Sequence, residues 1–219
     1  MSRFGLIGHP VAHSLSPELF AETYGETHTY ELLDYEDFEQ AFRVFKDGFK
    51  AVNVTMPFKE QAAARADFKS PEVQRTGAAN ILVNTERGVE AHNSDYLALL
   101  GILEGFRQEI GTAGPTLAVI GMGGAGKAAF AAARDCGFRV RCYHHDEIAG
   151  GVRAEVIIYT LPCAVEGCSG LDCRILLESN YRNPSFSRDS LSRSGCRYVD
   201  GLVWLREQAR IGFEIMTGF

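Results

Sequence analysis

Short apolar runs alternate with stretches of helical spacing along the first half of the chain. Arg3 to Ile7, Tyr30 to Leu33 and Phe49 to Val54 have strand length with alternating or β-branched character, whereas Pro17 to Thr23 and Asp37 to Phe45 place apolar residues on one helical face. Pro57 stops the third strand, and Lys59 opens a helical pattern, Glu60 to Phe68. Asn80 to Asn84 predicts a further strand. Asp95 opens an amphipathic helix to about Phe106, which Gly111-Thr-Ala-Gly-Pro115 ends. This rhythm of strand and helix predicts a mostly parallel α/β sheet.

Beyond Pro115 the pattern changes. Thr116 to Ile120 is almost continuously apolar, as a strand buried on both faces should be, and it runs into Gly121-Met-Gly-Gly-Ala-Gly126 and an Ala-rich helix, Lys127 to Cys136. Strand, glycine turn and helix in this order make a dinucleotide site three times as plausible as a structural turn, at roughly three to one. Gly121 permits the tight turn, Gly123 lets a pyrophosphate approach the backbone, and Gly126 lets helix pack on strand; Gly124 and Ala125 belong to the same cofactor turn, and the start of the helix that follows supplies free N–H groups to the phosphates. The next strand, Arg139 to Tyr143, ends at His144-His145-Asp146, where such a domain reads the adenosine ribose. Too few residues separate Asp146 from the strand Ala154 to Tyr159 for a crossover helix, so this domain is trimmed.

At 219 residues and 46% hydrophobic content the chain can bury a full core, and the break at Gly111 to Pro115 divides it in two. A net charge of −6 argues against a nucleic-acid partner, which would need a basic surface. The N-terminus shows no secretory pattern and no apolar run is long enough to span a bilayer, so the expectation is a cytoplasmic protein without a membrane partner. The six cysteines form no C-x-x-C pair; they are expected to be reduced thiols in small apolar sites, with no metal bound.

The candidate chemistry lies in Asn53-Val-Thr-Met-Pro-Phe-Lys59, an amide, a hydroxyl and an amine at a strand-to-helix turn, where open α/β sheets bind ligands. A lysine at the start of a surface helix is by itself more often a solvated charge. Its company changes that reading. Gly8-His-Pro-Val-Ala-His-Ser-Leu-Ser-Pro17, Asn53 to Lys59, Gly77-Ala-Ala-Asn80, Asn93-Ser-Asp95, and Asp200-Gly-Leu with Gln208 resemble, in order, five sequence blocks of the shikimate dehydrogenase family.

The resemblance implies two domains: a substrate domain of residues 1–104 and 203–219, and a Rossmann-like, doubly wound NADP-binding domain of residues 105–202 inserted between them. It implies that Ser14 and Ser16 hydrogen-bond the substrate carboxylate, that Thr55, Asn80, Asp95 and Gln208 hold ring hydroxyls, and that Tyr181 adds a hydroxyl at the carboxylate end. Lys59 and Asp95 match the catalytic pair: Lys59 supplies a proton to the ketone oxygen, and Asp95 orients the lysine. Structural roles stand beside these: Ser16 as a helix cap, Asp95 as the N-cap of the helix it opens.

The cofactor half departs from the family. The family's N-R-T, whose arginine grips the 2′-phosphate of NADP, is replaced by His144-His145-Asp146, and its N-A-T by Tyr159-Thr160-Leu161. NADP remains the expected cofactor, with NAD the alternative. Arg139, Arg141, His144 and His145 are the candidate phosphate partners, and Thr160 and Gly201 complete the cofactor set. The implied reaction is reversible reduction of 3-dehydroshikimate to shikimate in chorismate biosynthesis, by a monomer or homodimer. A non-catalytic shikimate-binding relic and a quinate/shikimate dehydrogenase using NAD are the alternatives.

Overall fold

The computed structural model describes residues 2–218. Its first part contains strands β1 (Arg3–Gly8), β2 (Thr29–Asp34), β3 (Ala51–Val54), β4 (Phe68–Lys69), β5 (Ile81–Thr85) and β6 (Gly88–His92), with helices α1 (Ser16–Tyr24), α2 (Phe38–Gly48), α3 (Lys59–Arg65) and α4 (Pro71–Thr76) between them. The second part runs α5 (Ser94–Ile110), β7 (Thr116–Ile120), α6 (Gly124–Asp135), β8 (Arg139–Tyr143), β9 (Val152–Arg153), β10 (Val156–Tyr159), β11 (Leu171–Asp172), β12 (Ile175–Glu178), α7 (Arg188–Arg193), β13 (Arg197–Val199) and α8 (Gly201–Thr217).

Two compact units result: residues Met1–Ser94 with Arg206–Phe219, and Asp95–Leu205. The first division falls at the start of α5, earlier than the glycine-rich break near residue 111 suggests. Hydrogen bonds account for it. The Tyr96 phenol donates to Asp135 at 2.5 Å, the Cys136 thiol to the Leu100 carbonyl at 3.6 Å, and the Trp204 indole to the Asp95 carbonyl at 3.2 Å, so α5 is held by the second unit from its first turn.

The first unit is a six-stranded sheet in the order β2-β1-β3-β5-β6-β4. β1 pairs in parallel with β2 and β3, and β5 runs antiparallel to both β3 and β6. Period-two alternation sends Ala51 and Ile81 to one face and Val52 and Leu82 to the other. On the first face they meet Phe20 of α1 and Phe213 and Met216 of α8; on the second, Phe38, Phe42 and Phe45 of α2. Each of these buried phenylalanines is worth about 2–3 kcal/mol of apolar transfer. The chain leaves β1 for β2 on one side and returns to β3 on the other, which opens a crevice at the carboxyl ends of β1 and β3.

The helix expected to run to Phe68 ends at Arg65 instead, and Phe68–Lys69 joins the sheet. Asp67 causes this: its backbone N–H donates to the Val89 carbonyl at 3.0 Å and its carboxylate accepts from the Val89 N–H at 2.8 Å.

The second unit is a five-stranded sheet, β13-β12-β10-β7-β8, with every pairing parallel. Its switch point lies beside β7, where the chain goes first to β8 and then across to β10. No helix stands between Tyr143 and Val156, as the short connection predicts.

Candidate active site

In the first unit the polar side chains gather at the carboxyl ends of β1 and β3. Thr55 follows β3, its N–H bonded to the Ile7 carbonyl at 2.8 Å, and its own carbonyl accepts from Phe58 at 3.0 Å. That turn sets Lys59, half-buried, at the first residue of α3. The Lys59 carbonyl accepts the Ala79 N–H at 2.8 Å, and the Asn80 carbonyl accepts the Val54 N–H at 2.7 Å, so backbone bonds bring Asn80 alongside both Thr55 and Lys59.

Asn80 is 3% exposed, and its bonds explain why it is an amide. Its oxygen accepts the Ser94 N–H at 2.8 Å; its nitrogen donates to Ser94 Oγ at 2.9 Å and to Gln208 Oε1 at 3.2 Å. Asn80 thus caps α5 from outside and fixes Gln208, which returns on α8. Asp95 is the residue after Ser94. Its side chain is largely buried, and its carbonyl lies in the second unit's bonding, against Trp204.

Ser14 and Ser16 are brought together by a local turn. Ser14 Oγ accepts the Ser16 N–H at 3.2 Å and donates to Ser16 Oγ at 3.1 Å. Ser16 is the first residue of α1, and no side chain caps that helix, so its hydroxyl is not consumed as a cap. Two adjacent hydroxyls suit the two oxygens of a carboxylate.

Tyr30 extends the row: its hydroxyl donates to Asn53 Oδ1 at 2.7 Å. Burial pushes the Tyr30 phenol well above its ordinary range, and a hydrogen bond with Ser16 pulls it partly back. Tyr30 and Ser94 are left without a role of their own by the sequence, and Asn53 is given one only as the amide of the Asn53 to Lys59 string. The signal for Asn53 was a polar residue among the buried positions of β3. Tyr30 gave none, because an aromatic at a strand start reads as core.

In the second unit the glycine turn has the geometry its spacing predicts. Gly121 adopts φ +94°, a backbone that side chains rarely take, and a Cβ there would meet the Thr160 hydroxyl at 2.7 Å. A Cβ on Gly126 would lie 2.0 Å from the Gly121 carbonyl oxygen, so turn and helix meet backbone to backbone. A Cβ on Gly123, by contrast, would meet nothing within 4 Å. α6 begins with Gly124, Ala125 and Gly126, without a side-chain cap or an acidic residue in its first turn. An uncapped helix start facing open space fits a pyrophosphate.

The other cofactor candidates have mixed fates. The Thr160 hydroxyl lies 3.0 Å from the Ile120 carbonyl and 3.1 Å from that of Gly121, so it braces the turn. Gly201 is a close approach: its Cβ would sit 2.7 Å from the carbonyl oxygens of both Glu178 and Ser179. Arg139 does not serve as a phosphate partner. It stands at the opposite end of β8 and its guanidinium donates to the Gly114 carbonyl at 2.9 Å. Arg141 lies 5.6 Å from the Tyr143 ring centre, and His144 and His145 are exposed on the following turn. Tyr181 lies in the second unit after β12, in a turn tied by Asn180 to the Pro162 and Asn183 carbonyls.

All six cysteines are free thiols, and Cys163 is exposed rather than packed in an apolar site. Among the described residues, no group of three or more His, Cys, Asp or Glu could hold a metal, and no helix is long and apolar enough to cross a membrane.

Residues 6–82 match the model of the shikimate dehydrogenase substrate-binding domain. The NADP-dependent shikimate dehydrogenase of Roseobacter denitrificans is 30% identical over 254 aligned positions, covering 98% of this chain and 91% of that protein. The chain belongs to the shikimate dehydrogenase family. That alignment is longer than the 219-residue chain, so it passes over positions that the Roseobacter protein has and this chain lacks. The Thermus thermophilus enzyme is 40% identical over 145 residues, 64% of this chain and 54% of that one; the chain spans about half the length of the curated relatives it matches in this way. A solved structure of shikimate 5-dehydrogenase from Thermus thermophilus, in complex with NADP(H) and shikimate, superposes with a TM-score of 0.81 at 28% identity, covering 100% of this chain and 94% of that one.

Proposed function

We propose that this protein is an NADP-dependent shikimate dehydrogenase that reversibly reduces 3-dehydroshikimate to shikimate in chorismate biosynthesis. The observation that carries this reading is the convergence of Thr55, Lys59, Asn80, Ser94 and Gln208 through backbone and side-chain hydrogen bonds at one crevice. Hydroxyls and amides both donate and accept, which suits a polyol, and one ammonium among them suits a ketone that must gain a proton. In this reading Ser14 and Ser16 hold the substrate carboxylate with Tyr181. Thr55, Asn80, Asp95 and Gln208 position the ring hydroxyls. Lys59 delivers the proton to the nascent alkoxide, and Asp95 orients Lys59.

Residues 1–94 and 206–219 would form the substrate domain and residues 95–205 the nucleotide domain. The turn from Gly121 to Gly126 would hold the pyrophosphate, with Arg141, His144 and His145 toward the 2′-phosphate. When bound, the nicotinamide supplies or accepts the hydride. NAD is a second reading of the cofactor alone, favoured by the engagement of Arg139 with Gly114 and by Asp146 and Glu147 on the same turn as the histidines. In this reading the protein works in the cytoplasm on small-molecule substrates, as a monomer or a homodimer.

The test is oxidation of shikimate by the purified chain with NADP and, separately, NAD, followed by absorbance of the reduced nicotinamide. Turnover is expected with NADP. Lys59→Ala should lower it about a hundredfold with a smaller change in KM. A folded wild-type protein inert with both cofactors would end the enzyme reading, and wild-type turnover in Lys59→Ala would remove the lysine from it.

A further inference from the structure

The backbone N–H that follows a Rossmann domain's second strand is a natural donor to a ribose 2′-phosphate, and here it is already taken. The His144 N–H donates to Glu147 Oε2 at 2.6 Å, while the Glu147 N–H donates back to the His144 carbonyl at 3.1 Å. The closed turn lies beside the nucleotide site, because the Tyr143 carbonyl at the end of β8 accepts the Gly121 N–H at 2.9 Å. Glu147 is exposed and Asp146 adds a second negative charge next to it, while Arg141 on β8 stands against the Tyr143 ring ahead of the turn.

We propose that Glu147 is a built-in competitor for the 2′-phosphate and so the specificity-determining residue of this trimmed nucleotide domain. Its carboxylate presents an anionic oxygen to the N–H that a phosphate oxygen would use. NADP must displace that carboxylate and accept its repulsion, whereas NAD, with a neutral ribose hydroxyl, leaves the turn closed. The turn thus narrows the preference for NADP over NAD.

This inference rests on the nucleotide reading of the second unit, and the test separates the two. Binding of 2′,5′-ADP and of 5′-AMP to the purified full chain is measured by titration calorimetry, for wild type and for Glu147→Ala, Glu147→Gln and Asp146→Asn. Glu147→Ala should tighten 2′,5′-ADP about tenfold and leave 5′-AMP within about twofold. Glu147→Gln, which removes the charge but can still accept the N–H, should give a smaller gain, and Asp146→Asn less than either. Binding of both probes with their ratio unmoved by Glu147→Ala would overturn the role of Glu147 and leave the nucleotide site standing. An equal gain in Asp146→Asn would overturn it too, by reducing the effect to net charge. Failure of both probes to bind any of the proteins would overturn this proposal and the nucleotide reading together.

Discussion

The first unit builds its candidate site from side chains that hold one another, and the second builds its own from backbone. Asn80, Ser94 and Gln208 share a buried network, and Tyr30, Asn53, Ser16 and Ser14 form a second row of hydroxyl and amide contacts. In the second unit, Gly121, Gly123 and Gly126 act by what they lack, and a single hydroxyl, Thr160, braces them. A network of unlike polar groups tolerates few exchanges, because each lost partner leaves a buried group unsatisfied. A turn made of backbone tolerates any neighbour that leaves room for it. The substrate-binding-domain model matches residues 6–82, inside the first unit, while the second has no helix between β8 and β10 and carries the glycine turn.

The largest effect that would test this contrast comes from one methyl group in the second unit. Gly126→Ala places a Cβ 2.0 Å from the Gly121 carbonyl oxygen, so β7, the turn and α6 must separate. We expect a loss of about 3 kcal/mol or more in denaturant unfolding, together with loss of nucleotide binding. Gly123→Ala is the control: nothing stands within 4 Å of its Cβ, and its φ of −71° suits any residue, so stability should stay near wild type. Equal behaviour of the two variants would show that backbone approach does not define this site.

The sequence shows strands and helices of the first unit well where periodicity is clean. α2 follows from Phe38, Phe42 and Phe45 on one face, with Asp37 accepting the Glu39 N–H as its cap. It shows poorly what long-range pairing decides. The hairpin of β5 and β6 turns on Glu86 and Arg87, which carry no turn signal; Thr85 closes it by donating to the Gly88 carbonyl at 2.8 Å. Candidate site residues in recognisable strings, such as Thr55, Lys59 and Asn80, stand out because their strings resemble those of a known family. The bonding of Asn80 was not, since nothing in a local string reveals that Gln208, 128 residues away, shares its amide. Arg139 shows the opposite failure: a charge on the right strand is engaged at the wrong end.

A middle-sized effect is expected where the first unit's network is cut. Asn80→Ala removes the acceptor of the Ser94 N–H and both donor bonds of the amide, within a site that water hardly reaches. The cost should be about 2–3 kcal/mol in urea unfolding, because α5 loses its cap and Gln208 its anchor. Gln208→Ala should cost less, since Ser94 and Asn80 still hold each other. If Asn80→Ala unfolds like wild type, the network contributes no stability and the contrast with the glycine turn loses its first half.

The smallest effect concerns acid. Glu72, on α4, faces His92 at the end of β6 with 3.4 Å between carboxylate and imidazole, and the His92 carbonyl accepts the Asn80 N–H at 3.1 Å. Burial alone would raise the Glu72 carboxyl, but hydrogen bonding, with His92 the leading partner, outweighs it and holds the group at about 2, below its ordinary 4.5. A carboxylate depressed on folding stabilises the folded state fully above its unfolded pKa, and that stabilisation is lost as pH falls through the folded value. The Glu72 contribution should therefore be constant above about pH 4.5 and decline between there and about pH 2. Glu72→Gln removes the titration, so the stability gap between wild type and variant should shrink from near pH 6 to near pH 3 in denaturant unfolding. A gap that stays constant across that window would mean that the carboxylate is not held ionised by this pairing, and that the end of β6 is anchored by the backbone alone, as the glycine turn of the second unit is.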